Sequence, residues 1–198
     1  MESVGVRRYR MGQRAEAAAE TGERILDAAV AVFWERPSDD ISLNEVAAQA
    51  GVSVRTVIRR FGGKEGLLAA GVAYELQRTR NERDQAPVGD TVGAVAVLVE
   101  HYEAIGDRVL KLLAEEARVP ALLEIVAAGR ALHRDWCAKA FAPALAGLSG
   151  VERKRRLAQL VAVCDVHVWT LLRHEAGLSR RQTELALVEL LNPMTEES

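Results

Sequence analysis

The stretch Ile41 to Leu68, ISLNEVAAQAGVSVRTVIRRFGGKEGLL, decides how the rest of the chain is read. Ser42 followed three residues later by Glu45 has the pattern of a capping box, the hydroxyl taking one free amide and the carboxylate another. It predicts a helix over about Leu43 to Ala50. Val46 and Ala50 form its buried stripe, Ala47 is small enough for a close crossing, and Gly51 stands where a chain needs positive φ to end a helix and turn. Ser53 then caps a second helix. At 100° per residue, Val57 and Phe61 share one face with Val54 beside them, while Arg55 and Arg59 point the other way, flanked by Thr56 and Ile58. A short helix, a three-residue turn and a second helix with a basic free face is how a protein presents a helix to the major groove of DNA.

From Arg55 to Lys64 there are four basic residues (Arg55, Arg59, Arg60, Lys64) and no acidic one, in a chain of formal net charge −2. That local excess suits a polyanion, and arginine can also take guanine O6 and N7 bidentately. A solvated surface is the ordinary reading of such a run taken alone. The cap, the small residue and the turn glycine at these offsets favour DNA. Gly62-Gly63-Lys64 then opens a helix running toward Asn81, with Leu67, Leu68 and Val72 on its inner side, and the amides at such a start attract phosphate.

These residues carry a family resemblance. RILDAAVAVF (Arg24 to Phe33), VAAQAGVS (Val46 to Ser53) and TVIRRFGGKEGLL (Thr56 to Leu68) together resemble the DNA-binding domain of the tetracycline-repressor (TetR) family of bacterial transcription regulators. The resemblance implies that Arg55 and Thr56 lie near base edges, that Arg60 reaches a phosphate, and that Lys64 holds the backbone. The family usually has a tyrosine where this chain has Ile58, and its frequent histidine is here Arg60. The tyrosine's phosphate-contacting hydroxyl is therefore missing, and Arg60 is expected to compensate. Ile58 is suited instead to a thymine methyl, an apolar form of base readout. Asn44 joins Arg55, Thr56 and Ile58 as a candidate base reader; Ser42, Arg59, Arg60 and Lys64 are the candidate phosphate contacts.

Upstream, residues 1–20 form a basic arm, partly disordered or helical, in which Arg7, Arg8, Arg10 and Arg14 are suited to DNA and Gly5 and Gly12 discourage regular structure. A solvated tail is the alternative. Residues 15–36 read as a helix with Ile25, Leu26, Ala29, Val32 and Phe33 buried; Thr21-Gly22 could mark its real start, and Pro37 to Asp40 end it. The DNA-binding domain is placed at residues 21–68. The 198 residues are 49% hydrophobic and include two cysteines, Cys137 and Cys164. No run approaches a membrane span and no signal core follows the N-terminal arginines, so a cytoplasmic, nucleoid-associated bacterial protein is expected. The thiols are expected free and buried, with a bridge left open.

Residues 69–198 read as a helical ligand-binding and dimerisation domain, so the expected class is all-α. Thr91 to Ile105 is one helix, Gly106-Asp107 breaks it, and Asp107 caps a second to about Ala117. Pro120 starts a third to about Phe141 or Leu145, Glu152 to Glu175 is a fourth, and Ser179 caps the last, to about Leu191 with Pro193 as its stop. The fourth is apolar nearly all round between Leu157 and Leu172, and such a helix needs cover on two sides. Two helices from each of two subunits would make a four-helix bundle with two-fold symmetry, its interface built from Leu160, Val161, Val168, Leu171, Leu187, Val188 and Leu191. The family resemblance implies the same dimer. It also implies a small molecule that binds the helical body, tilts the linking helix and separates the DNA-reading heads.

Tyr102, His133, Trp136, Phe141, His167 and Trp169 combine apolar faces with hydrogen-bonding tips and are the candidate pocket for a small apolar or amphipathic effector; ordinary core is the alternative. His133, Cys137, Cys164 and His167 have spacings that zinc could use, but core packing is the preferred reading and no metal or cofactor is assigned. Asp165 and His167 should diverge by about 200° on a helix, and no nucleophile pairs with them, so no enzyme is expected. The run Arg153 to Arg156 reads as solvated surface. The expected function is a dimeric regulator on a palindromic operator, most simply a repressor released by an inducer. A non-specific DNA-coating dimer and, more remotely, a helical enzyme are the alternatives.

Overall fold

The computed structural model describes residues 3–35, 42–120 and 122–195, with the side chains of residues 3–15 outside the description. The described residues are helical, with no strand. The chain divides into two compact units, Met1–Glu75 and Leu76–Ser198, the division falling inside one helix.

The first unit holds α1 (Ser3–Glu35), α2 (Leu43–Gln49), α3 (Val54–Phe61) and the start of α4 (Lys64–Arg83). Its core is the expected stripe of α1, Ile25, Ala28, Ala29 and Val32, closed by Val46, Ala47 and Ala50 of α2, Val57 of α3 and Leu67 of α4. Leu26, Val54 and Phe61 pack around it. Tyr74 Oη donates to Asp27 Oδ1 at 3.0 Å, tying α4 to α1.

One expectation about α1 is corrected. The helix begins at Ser3 and runs through Gly5, Gly12 and Gly22 without a start at Thr21. Gly22 answers to a close approach: a β-carbon there would stand 2.3 Å from Arg60 Nη2. The expected stop at Pro37 to Asp40, and the side chains of Arg7, Arg8, Arg10 and Arg14, lie outside the described residues.

The second unit is built on α5 (Thr91–Glu115), which packs against α6 (Leu122–Ala140), α8 (Val166–Thr170) and α9 (Arg180–Thr195), while α6 and α9 each pack on α7 (Gly150–Val163). Asp90 caps α5 by accepting from Gly93 N at 2.9 Å. A reciprocal box starts α9: Gln182 N donates to Ser179 Oγ at 3.3 Å and Ser179 N to Gln182 Oε1 at 3.0 Å.

Three expectations fail here, each for a local reason. First, α5 does not break at Gly106. A β-carbon at this buried glycine would stand 2.5 Å from Trp169 Cζ3, so glycine makes room for an indole rather than ending a helix. Second, residues 152–175 are not one helix. Asp165 takes an extended conformation (ψ 149°) and caps α8 by accepting from His167 N at 2.9 Å, and a π-helical turn follows at Leu171–Glu175. The carbonyl of Cys164, at the end of α7, accepts from Tyr102 Oη at 2.9 Å. Third, α9 passes through Pro193 to Thr195, and Arg156 Nη1 donates to the Met194 carbonyl at 2.7 Å near that end. Arg156 is therefore half-buried and bonded, unlike the exposed Arg153, Lys154 and Arg155 beside it.

The core of the second unit also takes residues assigned to a dimer interface. Leu160, Leu187 and Leu191 are at most 1% exposed and sit among Leu98, Val99 and Trp169. Val161, Val168 and Val188 are half-buried against the same core, and Leu171 remains exposed. Leu185 and Leu190 are exposed as well. No helix among the described residues is long and apolar enough to cross a membrane.

Gly106→Ala should destabilise the chain. Overpacking against an indole costs about 1–3 kcal/mol, more than the ~1 kcal/mol that alanine gains over glycine within a helix. Urea denaturation of the variant should show a lower midpoint with an unchanged slope; an unchanged midpoint would mean that the indole does not occupy this position.

Candidate nucleic-acid interface and the interior polar cluster

An eight-residue helix presented to solvent needs both ends fixed. Ser53 is the N-cap of α3: its Oγ accepts from Thr56 N at 3.2 Å and pairs with Thr56 Oγ1 at 2.9 Å. At the other end Gly62, at φ 80°, donates its N–H to Ile58 O at 2.8 Å. Gly63 follows at φ 126°, a conformation that a side chain would strain, so two glycines turn the chain into α4. A β-carbon at Gly66 would fall 1.9 Å from the Phe61 carbonyl oxygen, which fixes how closely α4 starts against the end of α3.

With Val57 buried and Val54 and Phe61 turned to the core, α3 leaves Arg55, Ile58, Arg59 and Arg60 exposed. Ile58 is 46% exposed, unusual for its size and unexplained by packing. Thr56 is half-buried with its hydroxyl bonded to Ser53, and Arg60 lies over Gly22 of α1. On α2, Ser42 is the N-cap that the sequence pattern implied, its Oγ accepting from Asn44 N at 3.2 Å, and Asn44 stands exposed. Lys64 is exposed at the first position of α4.

The candidate pocket residues divide. Tyr102, Trp136, Phe141 and Trp169 are buried in the core of the second unit, and His133 is half-buried beside them. His167 is not with them: its side chain is exposed, and its Nδ1 lies 2.6 Å from Asp165 Oδ1. These two groups do meet, contrary to the wheel argument, because Asp165 stands outside the helix that it caps. The indoles of Trp136 and Trp169 are satisfied internally, Trp136 Nε1 donating to Arg83 O at 3.0 Å and Trp169 Nε1 to Glu103 Oε1 at 3.3 Å. Cys137 and Cys164 are buried free thiols that share a hydrogen bond, with Cys137 Sγ 3.8 Å from His133 Nε2. Among the described residues no group of three or more histidines, cysteines and carboxylates is gathered to hold a metal.

At the centre of this cluster is a residue that the sequence did not mark, Arg83, only 4% exposed. Its Nη1 donates to His133 Nδ1 at 2.9 Å, and its guanidinium carbon lies 5.5 Å from the Tyr102 ring centre and 5.4 Å from that of Trp136. Arg83 closes the last turn of α4, two residues beyond the Asn81 toward which the sequence ran that helix, and nothing in the local pattern signals its burial. Burial first, and then Arg83, His133 and Arg78, bring His101 down to about 3 from an ordinary 6.5. Folded His101 therefore resists a proton that the unfolded chain accepts. Its contribution to stability is whole above pH 6.5 and is lost as pH falls from there toward 3. Between pH 6.5 and 5, His101→Gln should flatten the fall in unfolding free energy by about 1.5 kcal/mol, since one displaced unit is worth about 1.4 kcal/mol. Urea titrations at the two pH values measure it, and parallel profiles for the two proteins would contradict it.

With this geometry in hand, comparison with known proteins is specific. Residues 25–70 match the family model for bacterial regulatory proteins of the tetR family. An uncharacterised HTH-type transcriptional regulator of Mycobacterium tuberculosis, found in strains CDC 1551 and H37Rv, is 41% identical over 70 residues, which are 35% of this chain and 33% of that protein. The match thus spans about a third of the length of these curated relatives. Among solved structures, a Rhodococcus sp. transcriptional regulator assigned to the TetR family superimposes with a TM-score of 0.63 at 18% identity, covering 89% of this chain and 100% of that one. SmeT, the repressor of the Stenotrophomonas maltophilia multidrug efflux pump SmeDEF, does so with a TM-score of 0.58 at 20% identity, covering 89% and 91%. At these identities the likeness is one of fold. Residues 25–70, which supply the helix-turn-helix, are thus similar to the bacterial regulatory proteins of the tetR family.

Proposed function

We propose that this protein is a sequence-specific DNA-binding transcriptional regulator, a cytoplasmic homodimer that represses from a palindromic operator and is released by a small molecule. The observation that carries the reading is the exposed face of α3, where Arg55, Ile58 and Arg59 project from a helix capped by Ser53 and ended by Gly62. Such a helix fits the major groove. Arg55 is the main base reader, Ile58 offers an apolar contact to a thymine methyl, and Asn44 lies at the start of α2. Thr56, its hydroxyl held by Ser53, serves the bases more weakly. Ser42, Arg59, Arg60 and Lys64 hold phosphates, the last at a helix start. Arg7, Arg8 and Arg10 extend the contact along the duplex.

Dimerisation rests on the apolar side chains that the second unit leaves outside, Leu171, Leu185 and Leu190, flanked by Val161, Val168 and Val188. A two-fold dimer sets its recognition helices roughly 34–36 Å apart, one turn of DNA. Repression is proposed because SmeT, of similar fold, is a repressor. The effector would bind in the second unit near Tyr102, His133 and Trp136.

Fluorescence anisotropy on DNA flanking the protein's own gene, against scrambled DNA at two salt concentrations, tests the reading. Arg55→Ala should weaken operator binding about 10- to 100-fold, the 1–3 kcal/mol of a bidentate base contact, and leave scrambled DNA nearly unaffected. Lys64→Ala should weaken both and reduce the salt slope by about 1. Equal, salt-sensitive binding of both DNAs by the wild type would favour a non-specific coat.

A further inference from the structure

A buried arginine ordinarily stands against a carboxylate, because an unpaired charge out of water is costly. Arg83 does not. Among the described residues no carboxylate is ion-paired with it: Asp84 is 2.7 Å from Lys139 Nζ, and Glu82 is 3.6 Å from Arg78 and 3.4 Å from His101. Its Nη1 is used by His133, and its Nε is buried without any acceptor. Arginine has only hydrogens to give, so His133 receives at Nδ1 and turns its other nitrogen to Val161 O, 3.3 Å away, and to Cys137 Sγ. His133 therefore brings no negative charge. Tyr102 and Trp136 face the cation with their rings, which supports a guanidinium but does not neutralise it.

The arrangement leaves the Nε–H of the guanidinium buried without an acceptor. Nε–H and one Nη–H point in parallel, and that pair is the fork which takes both oxygens of a carboxylate. We infer that the Nε edge of Arg83 is the receptor for the carboxylate of a small organic acid whose apolar body lies among Tyr102, Trp136 and their neighbours. A single buried cation balances a monoanion, so a carboxylate suits this place better than a doubly charged phosphate. Arg83 is also, after burial, the largest cause that holds His101 down. Cys137 is the one internal competitor: the bond from Cys164, and then His133, bring its thiol down to about 6. Its sulfur, however, shares hydrogen bonds with His133 and Cys164, while Arg83 Nε keeps no acceptor. The inference rests on the reading of the second unit as ligand-responsive and names the chemistry of that ligand.

Thermal shift and calorimetry on the full chain test it with benzoate, phenylacetate and octanoate, each against its primary amide, and with inorganic phosphate. At least one carboxylate should raise the Tm while its amide and phosphate do not. Arg83→Met should abolish that rise yet leave the ligand-free protein at least as stable as wild type, because it removes a buried charge without a partner. Arg83→Lys, which keeps the charge and loses the fork, should weaken the same carboxylate at least tenfold. Acids and amides acting equally would overturn the anion site and leave an effector of another class. No shift with any probe would overturn both the site and the ligand reading that it rests on. A full carboxylate response in Arg83→Met, or a ligand-free variant clearly less stable than wild type, would make the arginine structural.

Discussion

α3 is too short to be a helix on its own. Nucleation alone makes an isolated segment of eight residues unstable in water, so its existence depends on burying Val57 against Val46 and Ile25, each completely excluded from solvent. Completing a burial of this kind is worth about 1.5–3 kcal/mol per side chain. The rest of the first unit follows from that demand. Ala47 is small and buried where the second helix comes in, Ser53 and Gly62 close the two ends, and Gly66 brings the next helix up against the Phe61 carbonyl. Only with the inner face held this firmly can the outer face carry three arginines and an exposed isoleucine.

The same residue type is put to opposite uses in the two units. On α3 arginine is exposed and hydrated, available to whatever polyanion approaches. At the end of α4 it is buried against two aromatic rings, with its Nε–H unanswered. Sequence pattern separates these cases poorly. Arg55 and Arg59 announced their exposure because Val54, Val57 and Phe61 occupied the other side of a short helix. Arg83 sits in a stretch of mixed polar residues at a helix end, and its burial is decided by Tyr102, His133 and Trp136, which come from 19 to 53 positions away.

What was legible was local. The caps at Ser53 and Ser179 and the apolar stripes of α1 and α3 all depend on residues within a turn or two, where side-chain chemistry and helical period suffice. What was misread depended on partners remote in the chain. Gly22 looked like a helix start and Gly106 like a break, and each instead lies inside a helix under a large side chain, Arg60 or Trp169. Leu160, Leu187 and Leu191 looked like surplus apolar surface needing a second subunit, and the protomer's own core absorbs them. Asp165 looked like a polar interruption in a long helix. Its capping bond to the backbone ends one helix and begins another, which also brings it to His167.

The unanswered Nε–H of Arg83 bears on how long the molecule survives. A folded chain carrying an interior charge without a counter-ion gives up part of its margin against opening, and opened chains are what proteases cut. A bound anion restores that margin in proportion to its saturation, about 2.7 kcal/mol at a hundred times its dissociation constant. If the proposed acid occupies this arginine in a cell, it also lengthens the lifetime of the folded chain, so that abundance follows occupancy.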